Sequence, residues 1–168
     1  MASIGLFYGT SQGHTRRVAE LIQEAFECDG VDLHDISNAE ARDLEDYDLL
    51  ILGVSTYEHG VLQEHWDDFL WELQETDLHG KQVALFGLGN QVDYPQNFLD
   101  GMGTLYEAVR GLGGEVIGRW PTEGYTFKRS AAAVNDGFVG LAVDEENQPG
   151  LTEARVAQWV DQLRRELA

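Results

Sequence analysis

Ile4-Gly5-Leu6-Phe7-Tyr8-Gly9-Thr10-Ser11-Gln12-Gly13-His14-Thr15 decides how the rest of the chain is read. An apolar run of strand length, Ile4 to Tyr8, passes directly into a loop rich in hydroxyls and glycines. Val18, Leu21, Ile22, Ala25 and Phe26 then recur at helical spacing. A strand feeding a helix through a short Gly/Ser/Thr loop opens an α/β sheet, where ligands bind outside the carboxyl ends of the strands. Free N–H groups and the positive end of the helix dipole suit that position to an anion. Small hydroxyls add donors, so the loop can take a phosphate monoester without a metal or a lysine. A Ser/Thr-capped helix accounts for the same residues, and the loop alone leaves both readings open.

Neighbouring motifs narrow the choice. No Gly-Lys-Ser/Thr ending follows, which excludes a nucleoside-triphosphate loop, and the G-x-G-x-x-G dinucleotide pattern is missing. A phospho-acceptor receiver would need acidic residues after strand one and an aspartate after strand three. Phe7-Tyr8 and Gly53-Val54-Ser55 stand there instead.

Working outward, strands and helices alternate to the end of the chain. A weak second strand lies near Val31-Asp32-Leu33. Leu49-Leu50-Ile51-Leu52-Gly53-Val54 is a continuous apolar run of the kind buried on both faces of a parallel sheet. Trp66, Phe69, Leu70 and Leu73 mark a helix. Val83-Ala84-Leu85-Phe86-Gly87 is the fourth strand, and Leu99, Met102, Leu105, Tyr106 and Val109 mark the helix after it. Gly111, Gly113 and Gly114 stop that helix before a fifth strand, Glu115-Val116-Ile117-Gly118. The last helix opens at Thr152 as N-cap and carries Val156, Trp159, Val160, Leu163 and Leu167 on one face. This alternation implies right-handed crossovers and a parallel sheet. One turn-rich segment, about 120–137, breaks the rhythm before Phe138-Val139-Gly140-Leu141-Ala142-Val143 resumes as strand.

The chain has 168 residues, enough for one domain spanning 1–168 with a substantial core. No apolar run approaches the roughly 18–20 residues a membrane helix needs, and no signal peptide is read at the N-terminus. The single cysteine, Cys28, cannot close an internal disulfide, so a reducing, cytoplasmic location is expected. Thirty acidic against 11 basic residues give a formal charge of −19. That charge repels nucleic acid and anionic lipid and favours basic protein partners. Solubility, or a saline cell interior, accounts for the charge equally well. His14, His34, His59, His65 and His79 show no ligand spacing with Cys28, and no metal site is expected.

Several separate motifs in this order resemble the long-chain flavodoxins, from Ile4 to about Leu167. Strand one with its hydroxyl-rich loop resembles the family's phosphate loop. Leu50-Ile51-Leu52-Gly53 with Ser55-Thr56-Tyr57 resembles the first flavin-contacting loop, and Leu85-Phe86-Gly87-Leu88-Gly89-Asn90-Gln91 through Tyr94 the second. Trp120-Pro121-Thr122-Glu123-Gly124-Tyr125 and Phe138 to Asp144 resemble the long-chain excursion. The implied fold is a three-layer α/β/α sandwich. Its five-stranded parallel sheet has order 2-1-3-4-5, with an insertion interrupting the fifth strand. The implied function is a low-potential one-electron carrier that cycles non-covalently bound FMN between semiquinone and hydroquinone, without substrate turnover of its own.

Carried over residue by residue, Thr10, Ser11, Gln12, Gly13, His14 and Thr15 wrap the phosphate. Ser55, Thr56, Tyr57 and Gly60, then Leu88, Gly89, Asn90, Tyr94 and Asn97, contact the flavin. Tyr57 and Tyr94 sandwich its ring, a use suited to flat aromatic side chains. Gly60 permits positive φ, which lets a peptide there turn toward the ring. Gln12, His14, Tyr57 and Asn90 depart from the family's usual Thr, Asn, Trp and Asp. Arg16 and Arg17 sit in a first turn that disfavours cations, either beside a bound phosphate or simply facing solvent. The implied partners are a flavodoxin/ferredoxin–NADP reductase and acceptor redox enzymes, met by a monomer through Glu58, Glu64, Asp67, Asp68 and Asp93; Glu72 and Asp100 flank the same loops. One rival shares the fold, an FMN-dependent NAD(P)H:quinone oxidoreductase, and a third class is a flavin-storage or flavin-sensing binding module.

Overall fold

Apolar runs become strands in the computed structural model, which describes residues 3–9, 13–27, 30–57 and 60–167, the side chains of Tyr57 and Val61 excepted. The strands are β1 (Ile4–Tyr8), β2 (Val31–Asp35), β3 (Leu49–Tyr57), β4 (Val61–Leu62), β5 (Gln82–Leu88), β6 (Glu115–Ile117), β7 (Ala133–Val134), β8 (Gly137–Phe138) and β9 (Leu141–Val143). The helices are α1 (His14–Phe26), α2 (Glu64–Leu73), α3 (Asp100–Gly111) and α4 (Thr152–Glu166).

The main sheet runs β2-β1-β3-β5-β6, all parallel, with Ile4 beside both Val31 and Leu49 and Leu49 beside Gln82. Its central strands are buried along their length: Leu49 to Leu52 and Val83 to Phe86 are fully enclosed. Helices therefore cover both faces, α1 packing with α4 and α2 neighbouring α3. Arg164 of α4 donates to the carbonyls of Ala25 and Phe26, satisfying the end of α1, where a cation also opposes the negative pole.

The fifth strand is interrupted. β6 pairs with Gln82–Ala84 of β5, and β9 resumes the same edge against Phe86–Leu88. The excursion between them covers 118–140, slightly more than the sequence suggests. Phe138, read from sequence as returning strand, instead pairs in a hairpin, β7 with β8, and bridges to Trp120. The reason is aromatic: Phe98, Tyr125 and Phe127 surround the Phe138 ring at 5.1–5.8 Å. The chain re-enters the sheet at Gly140, where a Cβ would lie 2.0 Å from the Leu85 carbonyl oxygen; only glycine fits there. At α4, Leu151 is the N-cap after a 3₁₀ turn, Pro149–Leu151, and Thr152 is the first helical residue. The Thr152 Oγ1 is buried without a hydrogen-bond partner, so it does not serve as a cap.

Candidate functional site

The loops after β1, β3 and β5 leave the same edge of the sheet, at the carboxyl ends of its three central strands. Gly9 is held there by a bond from its N–H to the Gly53 carbonyl, 3.1 Å. A Cβ on Gly9 would meet Gln63 Oε1 at 2.3 Å, so the first loop leaves β1 against the start of α2. Gln63 is fully buried and caps α2, its side-chain oxygen accepting from the N–H groups of His65 and Trp66. Trp66 donates to the Gly53 carbonyl at 2.6 Å, fixing α2 on the end of β3.

Thr10, Ser11 and Gln12 lie outside the described residues. Gly13 is the N-cap of α1, with φ 87°, and gives the helix no side-chain cap; no acidic residue occupies the first turn. Thr15 is fully buried, and its hydroxyl meets that of Ser55 on β3 at 2.5 Å. That contact ties the first loop's helix to the second loop. The His14 imidazole is half-exposed and stands 4.0 Å from Glu146. Arg17 pairs with Glu145 at 3.0 Å and reaches Glu153 at 3.9 Å, while Arg16 pairs with Glu20. The cations at this helix start are thus compensated by carboxylates, two of them across the loop after β9.

β3 and β4 close a tight hairpin, Thr56 opposite Leu62 and Tyr57 opposite Val61. Glu58 and His59 lie outside the described residues, and Gly60, just before β4, has a φ of 89° that requires glycine. A Cβ on Gly60 would lie 3.0 Å from Asp100 Oδ2 and 3.5 Å from Asn97 Nδ2, which brings Gly60, Asn97 and Asp100 together. Thr56 Oγ1 accepts from the Gly101 N–H at 2.8 Å. Asp100 is a tie rather than a free rim carboxylate. It accepts from Asn97 Nδ2 at 3.3 Å and from the Ala131 N–H at 2.7 Å.

Leu88 lies beside Ser55, and Gly89 bonds the Val143 carbonyl. Asn90 builds the following turn with its own side chain. Its oxygen accepts from the N–H groups of Val92 and Asp93 and from Asn147, and its amide donates to the exposed Asp93 carboxylate. Tyr94 is half-buried, its N–H bonded to the Asn90 carbonyl. Beneath this turn lies a buried polar hub that the sequence reading does not single out. Asp144, fully enclosed, accepts from the backbone N–H and the side-chain amide of both Gln91 and Asn147. Gln91 in turn accepts from the Thr126 N–H at 2.6 Å, joining the excursion to the β5 loop. A polar residue straight after the apolar run 139–143 is the one sequence signal that points to Asp144.

The described residues contain no group of three or more side chains suited to a metal ion. Among the described residues, the start of α1 has no side-chain cap from Gly13 and no acidic residue in its first turn, an arrangement that suits an anion such as a phosphate.

Comparison with known proteins agrees with this geometry. The profile described as Flavodoxin matches residues 6–159. A Synechocystis flavodoxin is 51% identical over 165 residues, covering 98% of this chain and 97% of its own. Flavodoxin 1 of Escherichia coli is 46% identical, covering 99% and 96%. The crystal structure of Fusobacterium nucleatum flavodoxin bound to flavin mononucleotide superimposes with a TM-score of 0.95 at 35% identity, over the whole of both chains. The chain belongs to the flavodoxin family.

Proposed function

We propose that this flavodoxin-family chain binds one FMN non-covalently and carries single low-potential electrons from a reductase to acceptor redox enzymes. It works as a cytoplasmic monomer of one domain over 1–168. The observation that carries the reading is the convergence of the β1, β3 and β5 loops beside a helix start whose N-cap gives no side-chain bond and whose own first turn carries no acidic residue. When bound, FMN supplies one-electron chemistry that the side chains lack. Thr10, Ser11, Gln12, Gly13, His14 and Thr15 hold its phosphate. Ser55, Thr56, Tyr57, Gly60, Leu88, Gly89, Asn90, Tyr94 and Asn97 hold its ring, Tyr57 and Tyr94 covering the two faces and excluding water.

The chain's own residues set how readily electrons are taken up. At positive φ, the Gly60 peptide can present its carbonyl to a ring N–H and favour the one-electron stage. Carboxylates around the loops make a further negative charge costly and lower the second potential. Basic partners, a flavodoxin/ferredoxin–NADP reductase among them, dock on Glu58, Glu64, Asp67, Asp68 and Asp93, where opposite charge speeds encounter.

Titrating the FMN-free chain with FMN while following flavin fluorescence tests the cofactor, with 1:1 quenching expected. The carrier role predicts that NADPH reduces the holoprotein only when a reductase is added. NADPH oxidation by the chain alone with a quinone would instead identify the oxidoreductase.

A further inference from the structure

Trp71 stands on the outward ridge of α2 with 77% of its surface exposed. The core face of α2 is complete without it, since Trp66, Phe69 and Leu73 are buried. Solvent ridges are ordinarily filled by charged or amide side chains; an indole leaves on the order of 200 Å² of mostly apolar surface in water. A groove of about 410 Å³ runs between α2 and α3, lined by Leu70, the residue before Trp71, and by Leu73, Gln74, Ala108, Gly111 and Leu112 among others. Exposed indole and apolar groove together make a surface that gains by being covered.

The charge around it names the occupant. Asp67 and Asp68 lie four and three residues before Trp71 on the helix surface, Glu75 follows in the turn that ends α2, and Glu107 lines the groove. Among the described residues none of these four pairs with a cation. Arg16, Arg17, Arg42 and Arg164 pair with Glu20, Glu145, Glu40 and Asp161, and Arg110, the cation of α3 three residues beyond Glu107, lies over the Tyr106 ring. A second copy of the chain would set two such unneutralised clusters against each other, and an anionic lipid surface would be repelled. A protein surface presenting Lys or Arg beside an apolar side chain fits: the cation stacks on the indole and meets the carboxylates, while the apolar group enters the groove.

We propose that Trp71 and the α2–α3 groove anchor the basic reductase, an inference that rests on the carrier reading above. Trp71 lies seven residues along α2 from Glu64, about 10 Å at the helical rise. The Gly60 turn directly precedes that helix. A standard interface covers about 800 Å² per partner, roughly 30 Å across, so one partner spans the flavin loops and Trp71 together.

Calorimetric titration of the FMN-loaded chain with an oxidised NADPH-dependent flavodoxin/ferredoxin reductase at low ionic strength tests this. Trp71→Ala should weaken binding about tenfold, the scale of an aromatic anchor, and raise KM with kcat unchanged. Glu107→Lys should weaken it as well, while Leu151→Ser, at another exposed apolar residue, should leave it unchanged. If Trp71→Ala and the parent bind alike while Asp93→Lys weakens binding, the inference is overturned and the carrier reading stands. If the parent itself does not bind the reductase, both this inference and the reductase assignment fall, whatever FMN titration shows.

Discussion

Replacing Asp144 by Asn attacks the polar hub under the β5 loop while changing almost no volume. The carboxylate is fully buried and accepts from four N–H groups, two on Gln91 and two on Asn147, at 2.8–3.2 Å. An asparagine keeps one acceptor. In its better orientation the oxygen stays with Gln91, and its NH₂ is turned against the Asn147 backbone N–H, leaving two donors face to face. A lost charge-assisted bond costs about 1.5–3 kcal/mol and an orphaned buried donor about 1–3 kcal/mol. Relief of carboxylate desolvation returns part of that, so the net loss is about 3 kcal/mol. For a chain of this length that lowers Tm by about 6–12 °C. Urea and thermal unfolding of the FMN-free chain measure it without stabilisation by bound cofactor. Hydrogen exchange should show the Gln91 and Asn147 amides losing protection first. A change under about 0.5 kcal/mol, the scatter of ordinary surface substitutions, would refute the assignment of Asp144 as the hub.

Gly140→Ala places a Cβ 2.0 Å from the Leu85 carbonyl oxygen, a backbone atom that cannot turn aside. Urea unfolding should show a loss of about 3 kcal/mol or more, whereas Gly150→Ala, open to solvent, should change little. Burial raises the Tyr125 hydroxyl to about 12, its proton donated to the Ala142 carbonyl. The folded chain therefore keeps a proton that the unfolded chain releases near pH 10, and stability present below pH 10 is lost as pH rises toward 12. The loss is on the order of 3 kcal/mol; alkaline unfolding of Tyr125→Phe should be flatter over that window. Asn90→Asp keeps the acceptors of the β5 turn but sets a second carboxylate beside Asp93. Spectroelectrochemistry should find the second-electron potential lowered, and an unchanged potential would place that side chain's charge out of range of the flavin.

The central strands were legible because they are apolar on both faces, Leu49–Val54 and Val83–Gly87 above all. The edge was less so. β2 was read as Val31–Leu33 but extends to Asp35, its His34 stacked on Phe7 at 4.5 Å, a partner no local pattern reveals. Leu99, read on the face of α3, is instead its N-cap at φ 61°. At the site, the loops and their glycines stood out because strand-to-helix turns have a local signature. The ties between them did not. Gln91 with Asp144, Arg17 with Glu145 and Asp100 with Ala131 join residues 53, 128 and 31 apart, and only the assembled sheet brings them together. The two readings offered for Arg17, phosphate neighbour or free in solvent, both miss its ion pair.

The most direct test of the FMN carrier is an anaerobic photoreduction titration of the reconstituted chain, followed by visible absorbance. One FMN per chain and reduction in two resolved one-electron stages are expected, with the radical accumulating near half reduction. A chain that fails to take up FMN, or one whose flavin passes to the two-electron-reduced form with no radical at any stage, would contradict the carrier reading.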